Sequence, residues 1–158
     1  MPAEIIEGDL LDATTQYIVH QTNCISSGAS GIARAIFDKW PETNIYKERS
    51  NANYWHRPGY IYIRKHVINA MGQFYPGPPD TYTTNSIVYD ETVGMRQLWF
   101  TCCLTNISYI DNLQSVAFPY KIGCGLAGGD WNWYKNAIDD FADKSGVKTL
   151  IVKRPQDD

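Results

Sequence analysis

Nine residues, Gly123 to Trp131 (GCGLAGGDW), concentrate the backbone freedom of this chain. Gly123, Gly125, Gly128 and Gly129 fall within seven residues, and a helical pattern begins at about Trp131. Glycine lets the backbone reach positive φ and approach a ligand closely, while a helix start aims unpaired N–H groups and its positive dipole end at the same point. The combination suits an anion. The first six letters also spell G-x-G-x-x-G, the dinucleotide fingerprint, but that turn needs an acid at a strand end about 20 residues on. TLIVKRP stands there instead, and no G-K-S/T follows to make a Walker loop. The stretch therefore reads as a different phosphate cradle, with a ligand-free connector as the bland alternative.

A second loop of the same kind lies in VHQTNCISSGASGIARAIF, residues 19–37. A strand ends at Asn23 and Cys24, the small residues Ser26 to Gly31 follow, and an amphipathic helix starts at about Ile32. Two anion cradles in so short a chain imply a ligand with two neighbouring phosphates held at one sheet edge.

Around these loops the side chains with chemical potential have two readings each. Asp130 is well placed to cap the final helix, and equally to orient a water. Asn23 could satisfy loop backbone or contact a ligand, and its place at a strand-to-helix crossing favours the ligand. Asp9 could be a plain turn residue. His20 lies inside a strand and reads as a core histidine, and His56 and His66 carry no visible partner. Cys24 and Cys124 flank the loops without a histidine to activate them, whereas Cys102 and Cys103 read as small core hydrophobes.

The elements that must position these groups follow from periodicity. EIIEG, YIVHQTN, YIYIRKH, VINAMG, SVAFPY and TLIVK are rich in β-branched and aromatic residues and predict strands. Helical spacing recurs at Ile32-Ala33-Ile36-Phe37-Trp40, at Met95-Leu98-Trp99-Cys102 and at Trp131-Tyr134-Ile138-Phe141, and Pro41 opens a further helix, PETNIYKERSN. Alternating strands and helices predict an α/β sheet covered on both faces. Residues 72–86, GQFYPGPPDTYTTNS, predict one long surface loop.

With 158 residues, 44% hydrophobic and 20% charged, the chain has the size of one domain, residues 1–158, with about 154–158 frayed. Four cysteines without C-x-x-C spacing predict reduced thiols and no metal site. A net charge of -3 argues against non-specific duplex binding, and no apolar run approaches a membrane span. These features predict a cytoplasmic monomer.

EGDLLDA, IVHQTNCISSGASGIARAIFDKWPE, GYIYIRKHVINAMGQF and FPYKIGCGLAGGDW together, in this order and spacing, resemble a macro domain. The likeness is to the compact stand-alone group that includes ADP-ribose 1''-phosphate phosphatases and terminal ADP-ribose protein glycohydrolases. The resemblance implies a three-layer αβα fold with a mixed central sheet and an ADP-ribose cleft at one edge. It implies that Asp9 and Leu10 hold adenine, that Ser30, Gly31 and Ile32 form one phosphate loop, and that Gly123, Cys124, Gly125, Leu126, Ala127, Gly128 and Gly129 form the other. Asn23 would contact the distal ribose, with Gln73 and Phe74 nearby. The family usually has glycine where this chain has Ala29, so either the backbone there is reachable by an L-residue or the loop is arranged differently. Its glycohydrolases carry an aspartate where Ala127 stands, and Lys65 is no confident match for their lysine. The expectation is a metal-independent hydrolase with no cofactor that removes the 1''-phosphate from ADP-ribose 1''-phosphate, with Asn23 and Asp130 as catalytic residues. The alternatives are a non-catalytic ADP-ribose reader and a hydrolase acting on ADP-ribosylated protein or nucleic acid.

Overall fold

The computed structural model of the chain describes residues 1–84 and 86–156. The strands are β1 (Glu4–Glu7), β2 (Tyr17–Thr22), β3 (Ile61–Arg64), β4 (Val67–Met71), β5 (Asp80–Thr84), β6 (Ile87–Glu91), β7 (Ser115–Pro119) and β8 (Lys148–Lys153). The helices are α1 (Gly31–Lys39), α2 (Ile45–Ala52), α3 (Val93–Ser108) and α4 (Trp131–Ser145). Six strands form one sheet in the order β1-β8-β7-β2-β4-β3, parallel throughout except for the antiparallel β3–β4 pair. This is a mixed central sheet in an α/β three-layer arrangement, as the sequence predicts.

Each face of the sheet carries its own core. Val19, Ile68, Val116 and Ile151 pack with α3 and α4 through Phe100, Leu104, Tyr134 and Ile138. Ile18, Val67 and Ala117 pack with α1 and α2 through Ile36, Phe37 and Ile45. Strands covered on both faces read as unbroken apolar runs rather than alternations, and all five residues of β4 are buried. The five parallel strands β1, β8, β7, β2 and β4 all end on one edge, and at about 4.8 Å per strand that edge is about 19 Å long.

Three local expectations are corrected. Residues 72–86 are not one loop, because Asp80–Thr84 pairs antiparallel with Ile87–Glu91 in a separate hairpin. Its faces are mostly exposed, which leaves the hydrophobic alternation that betrays a strand too weak to see. The apolar stripe of α3 is rotated: Arg96, Phe100, Cys103, Leu104 and Ile107 are buried, whereas Met95, Leu98 and Cys102 are exposed. The buried arginine sets that rotation. The helix predicted from Pro41 divides into a single 3-10 turn, Pro41–Thr43, and α2, because the Asn44 side chain accepts hydrogen bonds from the Tyr46 and Lys47 N–H groups and starts a new helix. Of the tail expected to fray, residues 154–156 are exposed beyond β8, and 157–158 lie outside the described residues.

His20 is a fully buried core residue, as predicted. It pairs in register with Asn69 of β4, with Nε2 2.6 Å from Asn69 Oδ1. Asn69 Nδ2 donates to the Tyr62 carbonyl, so Oδ1 accepts and the imidazole proton sits on Nε2. Burial lowers the His20 pKa to about 4, and burial together with Arg49 lowers that of His56 to about 4. Below about pH 6.5 the unfolded chain takes up protons that these rings refuse until about pH 4, so stability falls with pH across that window. Urea denaturation should show a loss of up to about 1.4 kcal/mol per pH unit for each such proton between pH 6.5 and 4.5. His20→Gln should flatten the slope; an unchanged slope would contradict a neutral buried His20.

Candidate functional site

The loop after β2 is a backbone problem before it is a site. Leaving the strand, Asn23 folds its side chain back, and Oδ1 accepts from the N–H groups of Ile25 at 3.1 Å and Ser26 at 2.8 Å. The turn leaves the carbonyls of Asn23 and Ser26 pointing inward, where they need donors. Arg49 of α2 supplies them. Its Nη1 donates to Asn23 O (2.6 Å), its Nη2 to Ser26 O (2.6 Å) and to Asn23 Oδ1 (3.2 Å), and its Nε to Ser26 O (3.1 Å). The remaining Nη1 hydrogen faces His56 Nδ1 at 3.1 Å, which leaves His56 Nε2 as the buried N–H without a partner among the described residues. His56 thus has the partner the sequence did not reveal. Arg49 is 2% exposed, lies 4.3 Å over the Tyr46 ring, and has no carboxylate in ion-pair range among the described residues. Burial pulls its pKa down.

Past this turn, Ser30 sits at the cap position of α1 in extended conformation with no side-chain hydrogen bond, and Gly31 follows at φ 58°. The first N–H groups of α1 are thereby left open to a ligand. Ala29 is not among the residues at positive φ, so alanine is unstrained where the family usually has glycine.

The opposite wall is the loop from β7 to α4. Gly123 (φ 76°) accepts at its carbonyl from Gly129 N at 2.9 Å, and a Cβ at position 123 would stand 2.9 Å from the Tyr134 ring. The loop is closed from behind by Arg96, whose Nη1 donates to Ala127 O (3.2 Å) and Gly77 O (2.6 Å) and whose Nη2 donates to Tyr75 O (3.1 Å). Glu91 pairs with Arg96 Nε at 2.6 Å, both side chains being 3% exposed, and accepts from the N–H groups of Phe74 and Tyr75.

Between the walls lies a cavity of about 600 Å³ over the C-terminal ends of the parallel strands. Its lining brings together Asp9, Leu10, Asn23, Ser30, Gly31, Ile32, Gly123, Gly125, Leu126 and Ala127 from the sequence-derived set. Cys124, Gly128, Gly129 and Asp130 do not line it. Asp130 is exposed and caps α4, its Oδ1 accepting from Asn132 N at 3.0 Å. Cys124 bonds back to the Ile122 carbonyl, and burial raises its pKa to about 11, and that of Cys24 to about 12, so both stay thiols. Asp9 spends one oxygen on Leu11 N at 2.9 Å. Lys65 is held at φ 55° in the β3–β4 turn.

The sequence reading missed the two arginines and Gln21. Gln73 Nε2 donates to Tyr75 O, so its Oε1 accepts, and it does so from Gln21 Nε2 at 2.7 Å. Both glutamines line the cavity beside Asn23. Arg49 had one signal: it stands four residues after Ile45, on the inward face of a short helix.

Among solved structures the chain is similar to the macrodomain of Mycobacterium tuberculosis DarG, at 20% identity over 98% of this chain and 99% of that one, TM-score 0.70. The macrodomain of Thermus aquaticus DarG matches at 17% identity over 97% and 98%, TM-score 0.65. The fold is that of a macrodomain. A third neighbour, a point mutant of the Oceanobacillus iheyensis macrodomain with ADPR, matches at 19% identity over 95% of this chain and 83% of that one, TM-score 0.62. No family model and no curated protein matches this sequence.

In this macrodomain fold, removing the Arg49 fork strands the buried carbonyls of Asn23 and Ser26. Arg49→Lys keeps the charge but not the planar five-donor geometry, and should still cost about 2 kcal/mol or more in chemical denaturation. A loss below about 0.5 kcal/mol, the size expected at an ordinary surface position, would contradict the role given to Arg49.

Proposed function

We propose that this macrodomain binds ADP-ribose derivatives along the C-terminal edge of its sheet and removes the 1''-phosphate from ADP-ribose 1''-phosphate. The observation that carries the reading is one cavity bounded by two strand-to-helix loops, one of which leaves the first turn of α1 uncapped toward the cavity. Open backbone N–H groups at a helix start favour phosphate oxygens, and facing loops suit a diphosphate. Adenine then lies at Asp9 and Leu10, at the β1 end. The diphosphate sits between Ser30-Gly31-Ile32 and the Gly123-to-Ala127 wall, and the distal ribose sits at Asn23. Oδ1 of Asn23 is spent on its own turn and on Arg49, so the amide nitrogen is the group left to address the ribose or the attacking water.

In this reading water attacks the phosphorus of the 1''-phosphate, the bond from phosphorus to the 1'' oxygen breaks, and ADP-ribose leaves with a proton from solvent as inorganic phosphate is released. The loop N–H groups hold the negative charge that develops, and Asn23 orients the reactants. Asp130 serves as a helix cap, because its carboxylate faces Asn132 N outside the cavity lining. One observation favours a second reading, a non-catalytic ADP-ribose reader: among the described residues, Asp9 is the only carboxylate lining the cavity, and it stands at the opposite end from Asn23.

Calorimetry with ADP-ribose tests the shared part. The parent should bind, and Asp9→Ala should weaken binding about tenfold, the loss of one charge-assisted hydrogen bond. Phosphate release from ADP-ribose 1''-phosphate tests the activity. Asn23→Ala should lower it at least about a hundredfold, whereas Asp130→Ser, which retains a capping hydroxyl, should leave it unchanged. Binding without phosphate release selects the reader; no binding by the parent removes the ADP-ribose reading altogether.

A further inference from the structure

The turn that leaves β7, Pro119-Tyr120-Lys121-Ile122, is closed by Ile122 N donating to Pro119 O at 3.1 Å. Its third residue, Lys121, is held at φ 59°. A turn with positive φ at that position wants glycine, and a lysine there carries backbone strain that nothing in the turn itself requires. Lys121 also lines the cavity. Strain retained in a cavity wall directs attention to what the side chain does.

Its ammonium lies 5.7 Å from the centre of the Tyr120 ring, and that of Lys153, the last residue of β8, lies 4.8 Å from the same ring. Tyr120 lines the cavity and is tied to β8 by its N–H, which donates to Val152 O at 3.0 Å. Arg154 lines the same wall. Among the described residues neither lysine makes an ion pair. Glu7, the register partner of Lys153 on β1, does not reach it, and Asp9 is turned to Leu11 N. Lys153 does not itself line the cavity but stands at its margin beside Tyr120, so a chain with 17 acidic and 14 basic residues keeps a cationic cluster at one place on the rim.

The sheet order locates this cluster on the ligand. β8 and β7 follow β1, so their ends lie between Asp9-Leu10 and the Asn23 end of the edge. With adenine at one end and the distal ribose at the other, the part of the ligand that passes Tyr120 is the adenosine ribose. We propose that Lys121 and Lys153, both beside Tyr120, form a subsite for a phosphate ester on the adenosine ribose, so that the preferred ligand is an ADP-ribose phosphorylated at the 2' or 3' hydroxyl. This rests on the ADP-ribose reading above and adds a ligand class to it.

Calorimetry with ADP-ribose, 2'-phospho-ADP-ribose and 3'-phospho-ADP-ribose provides the test, read as the ratio of affinities. The parent should bind one of the two phosphorylated forms at least about fivefold more tightly than ADP-ribose, as two exposed ion pairs allow, and the ratio should shrink in 0.5 M salt, where the screening length is only about 4 Å. The double variant Lys121→Gly, Lys153→Met should bring the ratio to about one. Glycine relaxes the positive φ and methionine keeps the apolar stem, so the thermal midpoint of the variant should not fall, and the loss cannot be assigned to unfolding. A parent ratio near one, or a ratio that the double variant leaves unchanged, overturns the subsite while ADP-ribose binding stands. If the parent binds none of the three, the ADP-ribose reading falls and the subsite with it.

Discussion

Buried backbone carbonyls in the loops at the C-terminal edge of the sheet must find donors, and in this chain two arginines provide them. Arg49 serves the loop after β2 and Arg96 serves the segment after β4 together with the glycine-rich loop. Each guanidinium offers five N–H groups in a fixed plane, which is the geometry that several convergent carbonyls demand. The cavity is the space left between the two clamped loops. Its shape is set by inward hydrogen bonding, in which lining side chains such as Asn23, Gln21 and Gln73 themselves take part.

The two clamps are electrostatically unlike. Arg96 is matched by Glu91, and the pair brings together β6, α3 and the 73–77 segment with little net charge. Arg49 is held by neutral acceptors and a tyrosine ring, and so leaves a positive charge under the Asn23 turn. A buried cation raises the potential of the adjoining wall, and a negatively charged ligand returns part of the solvation that the arginine gave up. The positive potential of that wall therefore comes from α2 as well as from the helix start beside it.

What was legible in the sequence was whatever depends on period and local chemistry. The strand runs, the faces of α1 and α4, the core placement of His20 and the capping of α4 by Asp130 all follow from side-chain spacing within one element. What was hidden depends on partners far along the chain. The face of α3 is set by a charged residue, Arg96, which a hydrophobic pattern places outside, and only the pairing with Glu91 makes it an inward residue. The β5–β6 hairpin buries little, so its threonines and tyrosines carried propensity without alternation. Arg49 and Gln21 escaped for the same reason: a polar group becomes a core residue only once its acceptors are known.

The glycine-rich stretch also divides differently from its letters. Gly123 is required by the turn and by the Tyr134 ring behind it, so its absent side chain serves packing first. Gly125, Leu126 and Ala127 form the part that meets the cavity, while Gly128, Gly129 and Asp130 turn the chain into α4. A fingerprint read as one motif is thus two devices in series, a cavity wall and a helix start. The acid at its end belongs to the second, where its carboxylate accepts from Asn132 N and caps α4.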